Sequence, residues 1–393
     1  MRACMVAYAF YETDNRIRRY AETLAKRGDE VEAFVLGREG QPSHELIRGV
    51  HVNRIQKRVR NERSPISYLL KMLMFFVRST WVLALSHLRK RYDIIHVHSV
   101  PDFEVFATII PRLLGAQVIL DIHDIVPEFY ASKFKINERS FIFRLLLLVE
   151  KLSTAFSDHV IISNHLWQAK LTGRSVQLKK CTTILNYPDP SIFFPRPRTV
   201  SNNEDFVMCY PGTLNWHQGV DVAICATALL RDEAPGLKFF IIGEGPDREK
   251  LRALVQEQRL EDRVTIVGSV PLEQVAETMA NIDLGVVPKR KDSFGNEAFS
   301  TKIMEFMAMG VPVVVSNTRI DQYYFAENAV QFFESESAED LAAKILSLVH
   351  NATKRTALRA NGMEYVRSNN WNIKKAEYLD LVDNLVKHQP HYA

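Results

Sequence analysis

The sequence predicts an α/β protein built from two doubly wound parallel sheets in tandem, and three observations predict it. Short apolar runs rich in Val and Ile alternate with stretches of helical spacing from end to end. The alternation breaks once, in a proline-rich stretch after Asn186, and then restarts. The length, 393 residues, suits two domains of ordinary size.

In the first half, ACMVAYAF, EVEAFVL, DIIHVHS, AQVILDIHD and DHVIISN read as buried strands. Between them, residues 16–27, 57–91, 104–114 and 141–156 carry helical spacing. The stretch NYPDPSIFFPRPRTVSNNED holds four prolines and little periodicity, which places the linker at 191–205. The first domain is then 1–190, completed by a final helix at about 372–388, and the second is 206–371. In the second domain DFVMCYPGT, LKFFIIGEG, RVTIVGS, DLGVVP and VPVVVSN read as strands, with helices over 220–231, 247–258, 271–280 and 301–309. Open sheets of this kind bind ligands outside the carboxyl ends of their strands, so a tandem pair is expected to offer a cleft between its halves.

Composition narrows the class further. Apolar residues at 47% and charged residues at 24% exclude collagen-like, low-complexity and disordered chains. A net charge of +4 is too slight to argue for nucleic acid, and none is expected as a partner. The four cysteines, Cys4, Cys181, Cys209 and Cys225, form no C-x-x-C pair, so no metal site is expected and a reducing compartment fits best. The opening MRACMVAYAFYETD reads as a first strand rather than a signal peptide, giving a cytoplasmic expectation.

The stretch 57–91 supports two readings. Its apolar part, Ile66 to Leu88, is interrupted by Lys71 and Arg78 and so lacks the uninterrupted run of a membrane span. On a helix Lys71, Arg78 and Arg89 share a face, with Lys57, Arg58, Arg60 and Arg63 before them and Lys90 and Arg91 after. That pattern suits a helix lying on anionic headgroups at the cytosolic membrane face. The alternative is a buried helix whose basic side chains snorkel outward, which Met74 and Leu85 on the same face favour.

The most informative segment is SFGNEAFSTKIMEFMAMGVP, residues 293–312. Glu297 lies in a loop and Glu305 eight residues on, inside a helix that starts at Ser300 and Thr301, so their roles must differ. Amides at Ala298, Phe299 and Ser300 are expected to point out of the helix start, where the dipole favours a phosphate. Lys302 adds a full charge in a first turn that repels it, which an anionic ligand would explain; an ordinary surface helix is the plainer alternative.

Glu-x7-Glu, an Ala- and Met-rich turn, Gly310 and VPVVV resemble the donor-binding signature of the retaining family 4 glycosyltransferases, which have the two-domain GT-B fold. DNRIRRYAETLAKRGDEV, IIHVHS, DIHD, YPGTLNWHQGVD and FFIIGEGPDREKL extend the resemblance over almost the whole chain. It implies that Glu305 holds the ribose of a nucleotide sugar and Glu297 the hydroxyls of the sugar. It further implies that His123 approaches the donor sugar and its β-phosphate, with Asp121 and Asp124 orienting that ring or capping the loop. Gly212, Gly243 and Glu244 fall on the donor side. The implied reaction is hexosyl transfer with retention, in which the leaving diphosphate takes the acceptor proton and neither metal nor cofactor takes part. The implied acceptor is a glycan or lipid-linked oligosaccharide of cell-surface polysaccharide or lipopolysaccharide synthesis.

Two departures from the family pattern stand out. Thr213 and Gln218 occupy places that commonly hold an arginine and a lysine on the diphosphate, and Lys302 with the run Lys289, Arg290, Lys291 are the candidate replacements. Where two glycines are common in the first domain, the chain has Glu12, Thr13, Asp14, Asn15 and Arg16. There Arg16 is a candidate to neutralise the leaving group, and Asp14 to bind an acceptor hydroxyl or cap the next helix. Two other functions remain in view: a nucleotide-sugar epimerase on the same architecture, and a non-catalytic nucleotide-sugar-binding subunit.

Overall fold

The computed structural model describes residues 1–58, 65–134, 137, 139–198 and 205–387. Arg60, Arg63 and residues 199–204 of the expected linker lie outside the described residues. The chain divides into two compact units, Met1–Asn186 with Lys375–Ala393, and Tyr187–Lys374.

The first unit runs β1 (Arg2–Phe10), α1 (Asn15–Arg27), β2 (Glu30–Gly37), β3 (His44–Ile47), β4 (Val50–Lys57), α2 (Pro65–Arg89) and β5 (Ile94–His98). A 3-10 turn at Asp102–Thr108 leads to α3 (Ile109–Leu113), then β6 (Gln117–Ile122), α4 (Val126–Phe134), α5 (Phe141–Phe156), β7 (His159–Ile162), α6 (His165–Thr172) and β8 (Cys181–Thr183). The sheet order is β3-β4-β2-β1-β5-β6-β7-β8. β1 sits between two parallel neighbours, with Cys4 opposite Glu32 and Ile95. The direction of strand addition reverses after β4, so right-handed crossovers put α1 on one face and α2, α3 and α5 on the other.

The second unit runs β9 (Phe206–Pro211), α7 (Val220–Leu229), β10 (Leu237–Ile242), α8 (Arg248–Glu257), β11 (Val264–Val267), α9 (Leu272–Met279) and β12 (Leu284–Val287). It continues with α10 (Thr301–Ala308), β13 (Val313–Ser316), α11 (Arg319–Tyr324), β14 (Gln331–Phe333), α12 (Ala338–His350) and α13 (Ala352–Ser368). Its sheet order is β11-β10-β9-β12-β13-β14, all parallel. Met208, Tyr210, Phe239 and Val286 from the strands pack with Leu341 and Ile345 of α12 in its core. The last helix, α14 (Trp371–Lys387), begins in this unit and ends in the first. There Tyr378 packs 4.3 Å from Tyr20 of α1, ring to ring, and its hydroxyl lies 3.2 Å from His96 Nδ1.

Both sheets are doubly wound, as the alternation predicts. Three details differ from expectation. Residues 104–114 are not one helix: Pro111 cannot donate to a carbonyl four residues back, and the chain uses a 3-10 turn before the five residues of α3. β3 and β4 form an antiparallel hairpin through Arg48 and Gly49, both at positive φ, on the sheet edge. In α2 the stripe Met72, Phe75, Ser79, Leu83 and His87 is buried, whereas Met74 and Leu85 are exposed. The face that carries the charges is therefore outside, not in the core.

Candidate active site

The second unit gathers its polar groups at the carboxyl ends of β9 and β12. Gly212 follows β9 with φ +156°, and a β-carbon built on it would sit 2.2 Å from Lys302 Cε. Only glycine therefore leaves room for the lysine to lie across the turn. Lys302 Nζ reaches 3.5 Å from Gln218 Oε1 and lies 5.3 Å above the Tyr210 ring. The Tyr210 hydroxyl lies 2.9 Å from the Thr213 carbonyl oxygen and 3.0 Å from Gln218 Oε1, and its one proton is shared between these two acceptors beneath the ammonium. Burial pushes Lys302 down to about 8, with Glu305 opposing. The same burial pushes the Glu305 carboxyl up, with Lys302 opposing. Among the described residues no carboxylate comes within ion-pair distance of Lys302, so the ammonium is left for an anion.

The start of α10 gives a second, independent sign. Ser300 is 5% exposed, stands at the N-cap position and makes no capping bond, and its Oγ has no hydrogen-bond partner among the described residues. Buried hydroxyls are almost always bonded, so an orphan at a helix N-terminus implies an absent acceptor. Phe299 is anchored by its ring, 5.0 Å from Tyr324. The Ala298 amide corrects the sequence reading: it donates to the Phe294 carbonyl and is not available to a phosphate.

The basic run does not serve as expected either. Lys289 is 3% exposed, donates to the Ala298 carbonyl and pairs with Asp321 at 3.1 Å. Arg290 is held by Asp221 at 2.6 Å and by Glu336 at 3.1 Å, and Lys291 pairs with Glu334. Lys289 braces the Glu297 loop through the Ala298 carbonyl, while Arg290 and Lys291 are taken up by carboxylates of other elements. Of the proposed substitutes for the missing charges, Lys302 lies across Gly212 itself, while Arg290 reaches the far side of that turn through the Trp216 carbonyl at 2.6 Å. Glu297 Oε1 accepts from Arg319 at 3.0 Å, so a ligand hydroxyl would share that carboxylate. Gly243 lies against the same turn, since a β-carbon there would meet the Gly212 carbonyl oxygen at 1.8 Å. Glu244 is exposed and pairs with Arg248, and Thr213 is also exposed.

In the first unit a cavity of about 300 Å³ opens at the ends of β1, β5 and β6, lined by His123, Asp124, Asp14 and His98 with Tyr8, Tyr68, Phe129 and Tyr130 around them. His123 Nε2 lies 3.2 Å from Asp121 Oδ2 and 3.2 Å from His98 Nδ1, and its carbonyl accepts from Ser163. Burial alone would raise the Asp121 carboxyl, but Arg16 and His123 outweigh it and hold it well below the usual range. A proton on His123 Nε2 then donates to a fixed carboxylate, which leaves Nδ1 as the second functional nitrogen. Asp124 is pushed up by burial, with His123 opposing.

Arg16 requires a correction. It is buried: its guanidinium grips both Asp121 oxygens, at 2.7 and 2.6 Å, and donates to the Ile184 carbonyl at 2.8 Å. It organises the floor under His123 and does not meet a leaving group. Asp14 caps α1, accepting from the amides of Arg16 and Ile17, and also lines the cavity; Asn15 is exposed. His96, His98 and Asp121 present three possible metal donors within 4.8 Å, but Arg16 already occupies the carboxylate, and its fixed charge opposes a cation there. The four cysteines are free. Sequence reasoning missed Tyr210 and the aromatic lining of the cavity, because aromatic residues inside strands and helices read as core.

Two tandem doubly wound units, with an anion-ready helix start in one and a histidine-carboxylate cavity in the other, are the architecture of GT-B glycosyltransferases. Residues 13–186 match the glycosyl transferase 4-like domain, and residues 192–365 match the glycosyl transferases group 1 domain. The chain belongs to the group 1 glycosyltransferases. It is 25% identical over 328 residues to 2-deoxystreptamine N-acetyl-D-glucosaminyltransferase from Streptomyces fradiae, covering 76% of this chain and 72% of that one. Among solved structures, sucrose-phosphate synthase from Thermosynechococcus elongatus superposes with a TM-score of 0.80 at 19% identity, over 98% of this chain and 100% of the other. HepE from Anabaena, solved with UDP-glucose, gives 0.72 at 14% identity over 97% and 99%.

Proposed function

We propose that the protein transfers a hexose, with retention and without a metal, from a nucleotide diphosphate sugar to a hydroxyl of a glycan or lipid-linked acceptor in the cytoplasm. The observation that carries this reading is that Lys302, which reaches Gln218, and the orphaned Ser300 hydroxyl both stand at the start of α10. A diphosphate set there gains a cation, a hydroxyl and the free amides of the first helical turn in one place. Glu305 then accepts from the ribose and Glu297 from the sugar. Solved HepE, which binds UDP-glucose, supports a sugar nucleotide as donor.

Catalysis in this reading is electrostatic. As the anomeric carbon-oxygen bond breaks, the electron pair stays on the β-phosphate, and Lys302 and the helix start stabilise that charge. His123 orients the sugar and its phosphate. The acceptor oxygen bonds to the anomeric carbon on the same face, and its proton passes to the departing diphosphate. The residue types of the first-unit cavity, two carboxylates among tyrosines, suit a sugar ring with its hydroxyls donating.

The test begins with thermal stabilisation by a panel of nucleotide sugars, which identifies the donor. Proton NMR of the product then reads the anomeric configuration, with and without chelator. His123→Ala and Glu297→Ala are expected to abolish transfer while leaving the melting temperature near that of the parent. Inversion, loss of turnover in chelator, or near-normal activity in either variant would each overturn the corresponding part. A change in the donor incubated alone would favour epimerisation.

A further inference from the structure

The face of the first sheet that carries α2, α3 and α5 is apolar outside as well as inside. Beneath, α2 docks on the fold through Phe75 and Leu83, while Phe103 in the 3-10 turn after β5 packs 5.8 Å from Phe76, ring to ring. Phe106 of that turn meets Phe156 of α5 at 5.1 Å, so the three helices are neighbours. Outside, α2 presents a second stripe at helical spacing that includes Leu70, Val77 and Trp81, with Trp81 66% exposed. Leu113 of α3 and Phe141 of α5 are each 79% exposed. Most of the exposed large apolar side chains among the described residues lie on these three helices. Monomers in water seldom leave so much apolar surface together.

The charges on this face are of one sign. Arg78, Arg89, Arg144 and Lys151 are exposed on α2 and α5. The single carboxylate on the three helices, Glu150, is 1% exposed and held by Arg174. Asp102 and Glu104, in the turn between them, are buried.

We propose that this three-helix face is a docking surface for a bilayer carrying anionic headgroups. Apolar side chains would enter the boundary between headgroups and acyl chains, and the arginines and lysines would sit among the phosphates. Helix α2 is long and apolar enough by composition to cross a membrane, but one of its stripes is committed to the sheet, so it lies along the surface instead. A second copy of the chain fits less well, because a two-fold contact would set this basic face against itself. The proposal goes beyond the transfer reaction and does not depend on it.

The probe is vesicles of phosphatidylcholine with and without phosphatidylglycerol. Binding by sedimentation is expected only with the anionic lipid at low salt. It should fall roughly tenfold or more in Arg144→Glu/Lys151→Glu, from about 1 kcal/mol per basic residue at such a surface. It should fall as well in Trp81→Glu/Leu113→Glu. Both pairs of substitutions are on exposed positions, and unchanged melting temperatures establish that the variants fold. Brominated lipid should quench a part of the fluorescence that Trp81→Phe removes. No binding to anionic vesicles, binding indifferent to these variants, or self-association in sedimentation equilibrium that Trp81→Glu abolishes would overturn the proposal.

Discussion

Replacing Lys302 with methionine keeps most of the side chain's length and removes the ammonium that lies over Gly212. The charge is worth measuring because the structure already penalises it: burial lowers the group from 10.5 to about 8. A hydrogen bond to a charged partner contributes about 1.5–3 kcal/mol, so Lys302→Met should weaken nucleoside diphosphate binding roughly tenfold to a hundredfold. The pH dependence gives the sharper reading. A bound diphosphate favours the protonated lysine, so above about pH 8 binding takes up a proton and affinity falls as pH rises. Without ligand the sign reverses. The unfolded chain holds the extra proton between about 8 and 10.5, so stability rises with pH through that window, and the variant loses the rise. Titration calorimetry in buffers of different ionisation enthalpy measures the proton uptake directly. A variant that binds the diphosphate as tightly as the parent, with the same proton uptake, would refute the assignment of Lys302.

Three further outcomes follow from the same geometry. Gly212→Ala should weaken diphosphate binding in the same direction as Lys302→Met, since the new methyl group must displace Lys302; calorimetry with intact folding checks it. Arg16→Met strands the buried Asp121 carboxylate and should cost about 3–5 kcal/mol of stability in urea unfolding, whereas a loss under about 1 kcal/mol would show the ion pair to be dispensable. Glu104 is pushed up by burial to about 8, so its contribution to stability is lost as pH rises from about 4.5 through 8. Glu104→Gln should flatten the fall in melting temperature across that range, and an unchanged slope would refute the burial argument.

The doubly wound sheets were legible because short apolar strands alternate with stretches of helical spacing along both halves of the chain. The edges were not: β8 and β14 are three residues each, too short for a periodic signal, and the turn between β3 and β4 uses Arg-Gly in place of the usual Asn-Gly. At the site, Lys302 and Ser300 could be picked out because a lysine in a first turn contradicts the helix dipole. Lys289 and Arg290 could not be sorted from Lys302 by sequence, since their carboxylate partners Asp321, Asp221 and Glu336 lie tens of residues away along the chain. Arg16 misled for the same reason: its partner, Asp121, is 105 residues distant.

The seat of Tyr378 against Tyr20 and His96 has a consequence for biosynthesis. A ribosome delivers the strands of the first sheet early, yet the residues that pack on its α1 side come from α14, 282 residues after His96. The first unit is completed only after the second has been made, and until then an aromatic and histidine-lined seam stays open to water and to chaperones. A chain stopped short of residue 375 would keep every residue of the DIHD segment and still leave that seam uncovered.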